Sequence, residues 1–129
     1  MRVRPYHRLD EVEVRAADGG DPVRAMRTEG EAILKLLDAT DHVWLLERSG
    51  QLFSSEELAR RMERLPHEGI ARLTFVVAGS YGASEALLAR ADVRWSLSPL
   101  TFLHEWARVL VVEQLYRAAK IARDEPYHH

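Results

Sequence analysis

Three short apolar runs constrain this chain more than any other feature: Val43-Trp44-Leu45-Leu46, Leu73-Thr74-Phe75-Val76-Val77 and Val93 to Leu97. Runs of this length, bounded by turn residues and separated by stretches of helical periodicity, read as buried strands. Strands that alternate with helices imply an α/β fold built on a parallel sheet. A further segment, Leu9 to Arg15, sets Leu9, Glu11 and Glu13 against Asp10, Val12 and Val14. That alternation predicts a short strand at an edge or half-buried.

The helices have recognisable starts. Asp21 followed by Pro22 predicts an N-cap and first helical position, with Val23, Met26, Ile33, Leu34 and Leu37 as the stripe and Gly30 as a weak point inside it. Arg48-Ser49-Gly50-Gln51 reads as a turn. Ser54 with Glu57 three residues on predicts a capping box, and the helix it opens runs through Leu58 and Met62 to about Leu65, before Pro66. Ser84 to Ala91 reads as a short helix. Glu105 to Ala122 reads as a long one with a broad apolar face: Trp106, Val109, Leu110, Val112, Leu115 and Ala119. No linker or repeat divides the chain, so one domain over residues 1–129 is expected.

Composition narrows the function. The formal net charge of −2 argues against a protein that coats nucleic acid indiscriminately, but leaves room for a local basic patch. The chain has no cysteine, which excludes disulfides and thiolate metal sites. His7, His42 and His67 lack metal-ligand spacing and read as structural, and no metal is expected. There is no apolar run of membrane-spanning length and no secretory leader, so a cytoplasmic location away from membranes is expected.

The candidate chemistry lies in the second half. Ala78-Gly79-Ser80-Tyr81-Gly82 follows a buried strand. Such a loop admits a cofactor close to the backbone, or is simply a tight strand-to-helix turn. It is neither a Rossmann fingerprint nor a P-loop. In Trp95 to His104, hydroxyl and apolar residues alternate before a helix that Thr101 or His104 can cap. His104 and Arg108, four apart, share a helix face suited to phosphate or RNA, or to solvent. Tyr127-His128-His129 is a frayed end or an aromatic and imidazole pair for RNA. Glu56-Glu57 suits a helix cap better than a glycosidase pair, and no Ser/His/Asp arrangement is visible.

Trp95-Ser96-Leu97-Ser98, Leu100-Thr101-Phe102, His104, Arg108-Val109, Glu113 to Ala118 and Pro126-Tyr127-His128 closely resemble, in order and spacing, the ribosomal RNA large-subunit methyltransferase H family of the SPOUT class. Upstream, Glu29-Gly30-Glu31, Leu46-Glu47 with Gly50, and Ser54 to Ala59 resemble it too, so the likeness runs from about Arg4 to the end. The resemblance implies a SPOUT fold whose C-terminal part, roughly residues 73–129, is threaded into a trefoil knot, an exception to unknotted connections. It implies a homodimer that binds S-adenosyl-L-methionine and methylates N3 of a pseudouridine in 23S ribosomal RNA of assembled ribosomes. Carried over by position, the cofactor pocket uses Leu46, Ala78, Gly79, Gly82 and the run Ser96, Leu97, Ser98, Pro99, Leu100, Thr101 and Phe102. His104, Arg108, Tyr127 and His128 face the RNA, and the last helix supplies much of the dimer contact. The alternatives are a catalytically inactive knotted dimer that binds RNA or the ribosome, and a SPOUT enzyme acting on another RNA such as transfer RNA.

The chain departs from the family pattern in three places. The sequence starts at the stretch that follows the family's first strand and helix; that strand lies inside the family's sheet, so the expectation is either a start placed too late or a rearranged sheet, since its loss would bare its neighbours' edges. The cofactor loop has Ala78-Gly79 where the family has two glycines. Leu103 stands at a frequent proline position, and His129 where the family has a basic residue.

Overall fold

The computed structural model describes residues 21–70, 72–78, 82–98, 100 and 104–122. The strand expected over Leu9–Arg15 lies outside the described residues, and the expected knot would pass through segments outside them.

Helix α1 spans Pro22–Leu36, and the Asp21 carboxylate caps it by accepting from the Val23 amide at 3.1 Å. Strand β1 covers His42–Leu52, helix α2 Ser55–Arg64 and strand β2 Leu73–Val76. Helix α3 covers Glu85–Arg90, strand β3 Val93–Ser96 and helix α4 His104–Ala122. The α2 capping box forms in full: Ser54 Oγ accepts from Glu57 N, and Glu57 Oε1 accepts from Ser54 N. Those bonds from Ser54 hold the Glu57 carboxyl below its usual range. Pro66 stops α2 and opens a 3₁₀ turn, Pro66–Glu68, which Gly69 closes at φ +81°.

The three strands form a parallel sheet in the order β2-β1-β3. Central β1 is buried on both faces, as its apolar run predicts. Trp44 meets Leu58 and Ala59 of α2, Val93 and Trp95 of β3, and Val111, Leu115 and Ala118 of α4. Val43 and Leu45 point the other way, onto Val76 and Leu87, with Ile33 and Leu34 of α1 beside them. Helices α2 and α4 therefore cover one face, and α1 and α3 the other. Burying a side chain such as Leu45 (1% exposed) stabilises the fold by about 2 kcal/mol.

Three expectations need correction. The segment Arg48–Gln51 is not a turn that ends the strand. Leu46 and Gln51 both stand opposite Trp95, so Glu47–Gly50 bulge out and Gln51 and Leu52 rejoin the β3 ladder. Gly50 makes this possible, because a Cβ there would lie 2.5 Å from the Arg94 carbonyl oxygen. Gly30 is not a weak point but a contact: a Cβ would lie 2.3 Å from Ser84 Oγ, where α1 crosses the start of α3. The apolar face of α4 divides in two. Val111, Leu115, Ala118 and Ala119 enter the core, while Trp106 and Val109 stand 62% and 57% exposed.

Candidate functional site

In a parallel sheet all strands end on the same side, and the crevice beyond those ends is where open α/β sheets take ligands. The sequence-predicted pocket residues converge there. Leu46 sits where β1 leaves its first ladder, opposite Trp95, and its neighbour Leu45 stands opposite Val76. Val77 and Ala78 leave the end of β2, and Leu97 and Ser98 leave the end of β3. Leu46, Val77 and Leu97 are half-buried and pack onto the same cluster that holds Trp44 and Trp95. Beneath them Trp44 lies edge-on to Phe75 at 5.7 Å and to Trp95 at 5.8 Å. Such edge-to-face stacking makes a stiff floor.

The chain after β3 is braced by its own hydroxyls. Ser96, 2% exposed, donates from Oγ to the Ser98 carbonyl at 3.0 Å. Ser98 Oγ accepts from the Leu100 amide at 3.1 Å, and Leu100 is left 70% exposed. Gly82 takes φ +88° with open space where a Cβ would be. Small or apolar half-buried groups thus line the lip, and backbone polar groups are presented on hydroxyl-held turns. That arrangement fits a flat, partly apolar ligand read through the backbone. Neither carboxyl with a lowered pKa lies here: Glu57 caps α2, and Asp38 accepts from the Thr40 amide and hydroxyl before β1.

Of the predicted site, Leu46, Ala78, Ser96, Leu97 and Ser98 come together, with Leu100 and Gly82 on the loops that leave them. His104 opens α4, and Arg108 lies one turn on, half-buried. Gly79, Pro99, Thr101, Phe102, Tyr127 and His128 lie outside the described residues. Two groups escaped the sequence reading. Val77 follows β2, half-buried against the cluster of Trp44 and Trp95, and its place between a buried strand and the loop was a usable signal. The bulge from Glu47 to Gly50 forms the β1 side of the lip, with Glu47 Oε2 accepting from Ser49 N at 3.1 Å and Ser49 Oγ at 2.5 Å.

Among the described residues no helix is long and apolar enough to cross a membrane, and no group of three or more acidic or histidine side chains is placed to hold a metal ion.

Residues 1–128 match the pattern of a family described as predicted SPOUT methyltransferases. A ribosomal RNA large subunit methyltransferase H of Gloeobacter violaceus is 43% identical over 128 residues, covering 99% of this chain and 83% of the relative. A protein of the same name from Symbiobacterium thermophilum is 43% identical over 135 residues, covering 98% of this chain and 84% of its own length. Another, from Desulfitobacterium hafniense, is 38% identical over 133 residues, with 98% and 83% covered.

Proposed function

This chain belongs to the SPOUT methyltransferase family, and on that premise we propose that it methylates N3 of a pseudouridine in 23S ribosomal RNA of assembled ribosomes, with S-adenosylmethionine as donor. The observation that carries this reading is the placing of Leu46, where β1 leaves its first ladder at the bulge, between the strands whose carboxyl ends lead to Ala78 and to Ser96–Ser98. Leu46, Val77 and Leu97 offer an apolar surface for the adenine. The backbone of residues 96–102, with Gly79 and Gly82, holds the rest of the donor.

When bound, the donor supplies a sulfonium methyl carbon, which a ring nitrogen attacks as the carbon–sulfur bond breaks. The protein holds the two reactants in line and keeps water from the crevice. The imide nitrogen must give up its proton, and a group titrating near neutrality suits that task. His104 and His128 are the candidate bases. Arg108 and Tyr127 would hold phosphate and base on the same side. The partner copy docks on α4, where Trp106 and Val109, three residues apart, present an apolar strip to solvent.

The test is donor binding to the 129-residue chain by calorimetry, with light scattering for mass and methylation of ribosomes lacking the modification. Saturable binding to a dimer together with methyl transfer is expected. A folded dimer that binds RNA but no donor would instead establish an inactive RNA-binding protein. Replacing His104 and His128 in turn with Gln identifies the base, and turnover unchanged in both removes the assignment.

A further inference from the structure

The bulge in β1 carries a cation to the lip of the crevice. Residues Glu47–Gly50 leave the ladder between Leu46 and Gln51, both of which stand opposite Trp95. Trp95 is the last residue but one of β3, so the excursion occurs at the carboxyl end of the sheet, beside the strand that leads to Ser96–Ser98. Bulges in such places re-aim side chains towards a site. At the tip of this one Arg48 and Ser49 are exposed, whereas Leu46 and Glu47 before them are half-buried.

We propose that Arg48 grips a phosphate of the ribosomal RNA beside the nucleotide to be methylated, which makes the bulge part of the substrate-binding rim. This rests on the methyltransferase reading above, and adds a contact from β1 to those proposed on α4.

The tip is braced from within. Glu47 Oε2 accepts from Ser49 N at 3.1 Å and from Ser49 Oγ at 2.5 Å, which folds the bulge on itself. At its far end a Cβ on Gly50 would lie 2.5 Å from the Arg94 carbonyl oxygen, so the bulge is seated tightly on the β3 backbone. A cation carried on a braced loop loses less freedom on binding than one on a loose loop. Among the described residues no carboxylate pairs with Arg48, and the neighbouring Glu47 is engaged by Ser49.

The charge of the chain points the same way. With a formal net charge of −2, affinity for RNA comes from cations placed at the site rather than from a general positive field. A nucleotide whose ring nitrogen enters the crevice brings its flanking phosphates to the rim. The planar fork of a guanidinium suits a phosphate better than any other side chain.

The test compares Arg48→Gln with Lys35→Gln in the full chain. Lys35 is an exposed cation in the last turn of α1, and the chain leaves that turn for the start of β1, so it stands at the opposite end of the sheet. The readouts are kcat and KM on ribosomes lacking the modification, donor affinity by calorimetry, and ribosome binding by sedimentation at several salt concentrations. Arg48→Gln should raise KM and weaken ribosome binding about tenfold, and lower the slope of log affinity against log salt by about one. Its kcat, donor affinity and melting temperature should stay as they were. Arg48→Lys, which keeps the charge, should keep the slope, and Lys35→Gln should change nothing. Unchanged KM and slope in Arg48→Gln overturn the inference. So does an equal loss in Lys35→Gln, which would mean a diffuse field, and so does a joint fall in donor affinity and melting temperature, which would make Arg48 a structural part of the lip. Ribosome binding without methyl transfer by the unaltered chain ends the enzymatic reading, yet the sedimentation comparison still decides the role of Arg48. Absence of both from the unaltered chain overturns the two together.

Discussion

The two ends of the sheet are built on opposite plans. At the amino-terminal end the strands are tied by charged side chains. Asp92 Oδ2 accepts from the Val43 amide at 2.8 Å, and the Asp92 amide donates back to the Val43 carbonyl at 2.8 Å. Arg90 reaches across to the carbonyls of Asp38 and Asp41 and to the Asp92 carboxylate. His42 Nδ1 stands 3.8 Å from Asp92. Asp41 is buried, with one oxygen accepting from the Asp38 amide and the other 3.1 Å from Arg72 Nε. At the carboxyl end there are half-buried leucine and valine tips, a positive-φ glycine and loops held by single hydroxyls. The contrast separates the end that fixes the strands from the end where the donor is proposed to bind. Cross-links that satisfy buried backbone groups fix the strands at one end, which leaves the other end free to present surface to a ligand.

The comparison breaks most sharply if a change at the open end harms stability more than binding. Leu46→Asp places a charge in the crevice. It should weaken donor binding by about 100-fold, roughly 2.7 kcal/mol, measured by calorimetry on protein whose melting temperature has moved little. At the closed end, Asp92→Ala should do the reverse. It leaves the Val43 amide without its acceptor and Arg90 without its carboxylate partner, at a cost of about 1–3 kcal/mol and roughly 5–10 °C in melting temperature. Donor affinity measured well below that transition should stay within about twofold. Equal effects of the two substitutions on both readouts would abolish the distinction.

Gly50→Ala probes the border between the two plans. The added methyl meets the Arg94 backbone, which cannot give as a side chain can. It should cost about 1–3 kcal/mol by denaturant unfolding, and lower donor affinity as well, because the bulge belongs to the lip. The smallest effect is one of pH. The Glu57 carboxyl lies below its ordinary value because it accepts from Ser54. Its contribution is therefore present above that ordinary value, about 4.5, and is lost as pH falls through the lower folded value. The slope of stability against pH in that window should be shallower in Glu57→Gln, while binding at neutral pH is unchanged.

Much of the framework was legible because it depends on local pattern. The apolar runs predicted all three described strands. Asp21-Pro22 and Ser54 to Glu57 predicted two helix starts to the residue, because capping is chemistry among neighbours in sequence. The residues proposed for the donor were named through family likeness, and the sheet sets Leu46 of β1 between β2, which leads to Ala78, and β3, which ends at Ser96. The failures share a cause. Glu47–Gly50 read as a turn because the partner that takes the chain back into the ladder, Trp95, lies more than forty residues away. Gly30 read as a defect because Ser84, which needs the space, is equally remote. On α4 two apolar stripes have the same helical period, and nothing local distinguishes the one that meets Trp44 from the one left in solvent.

By itself, then, the sequence determined which segments form strands and helices, where helices begin, and which chemistry the chain is suited to, since each rests on residues a few positions apart. Only the tertiary structure decided the sheet order, the face each helix covers, the closed and open ends, and the stripe of α4 left exposed. Those depend on which distant groups meet, as when Asp92 caps a strand that began 50 residues earlier, and no local pattern encodes such a meeting.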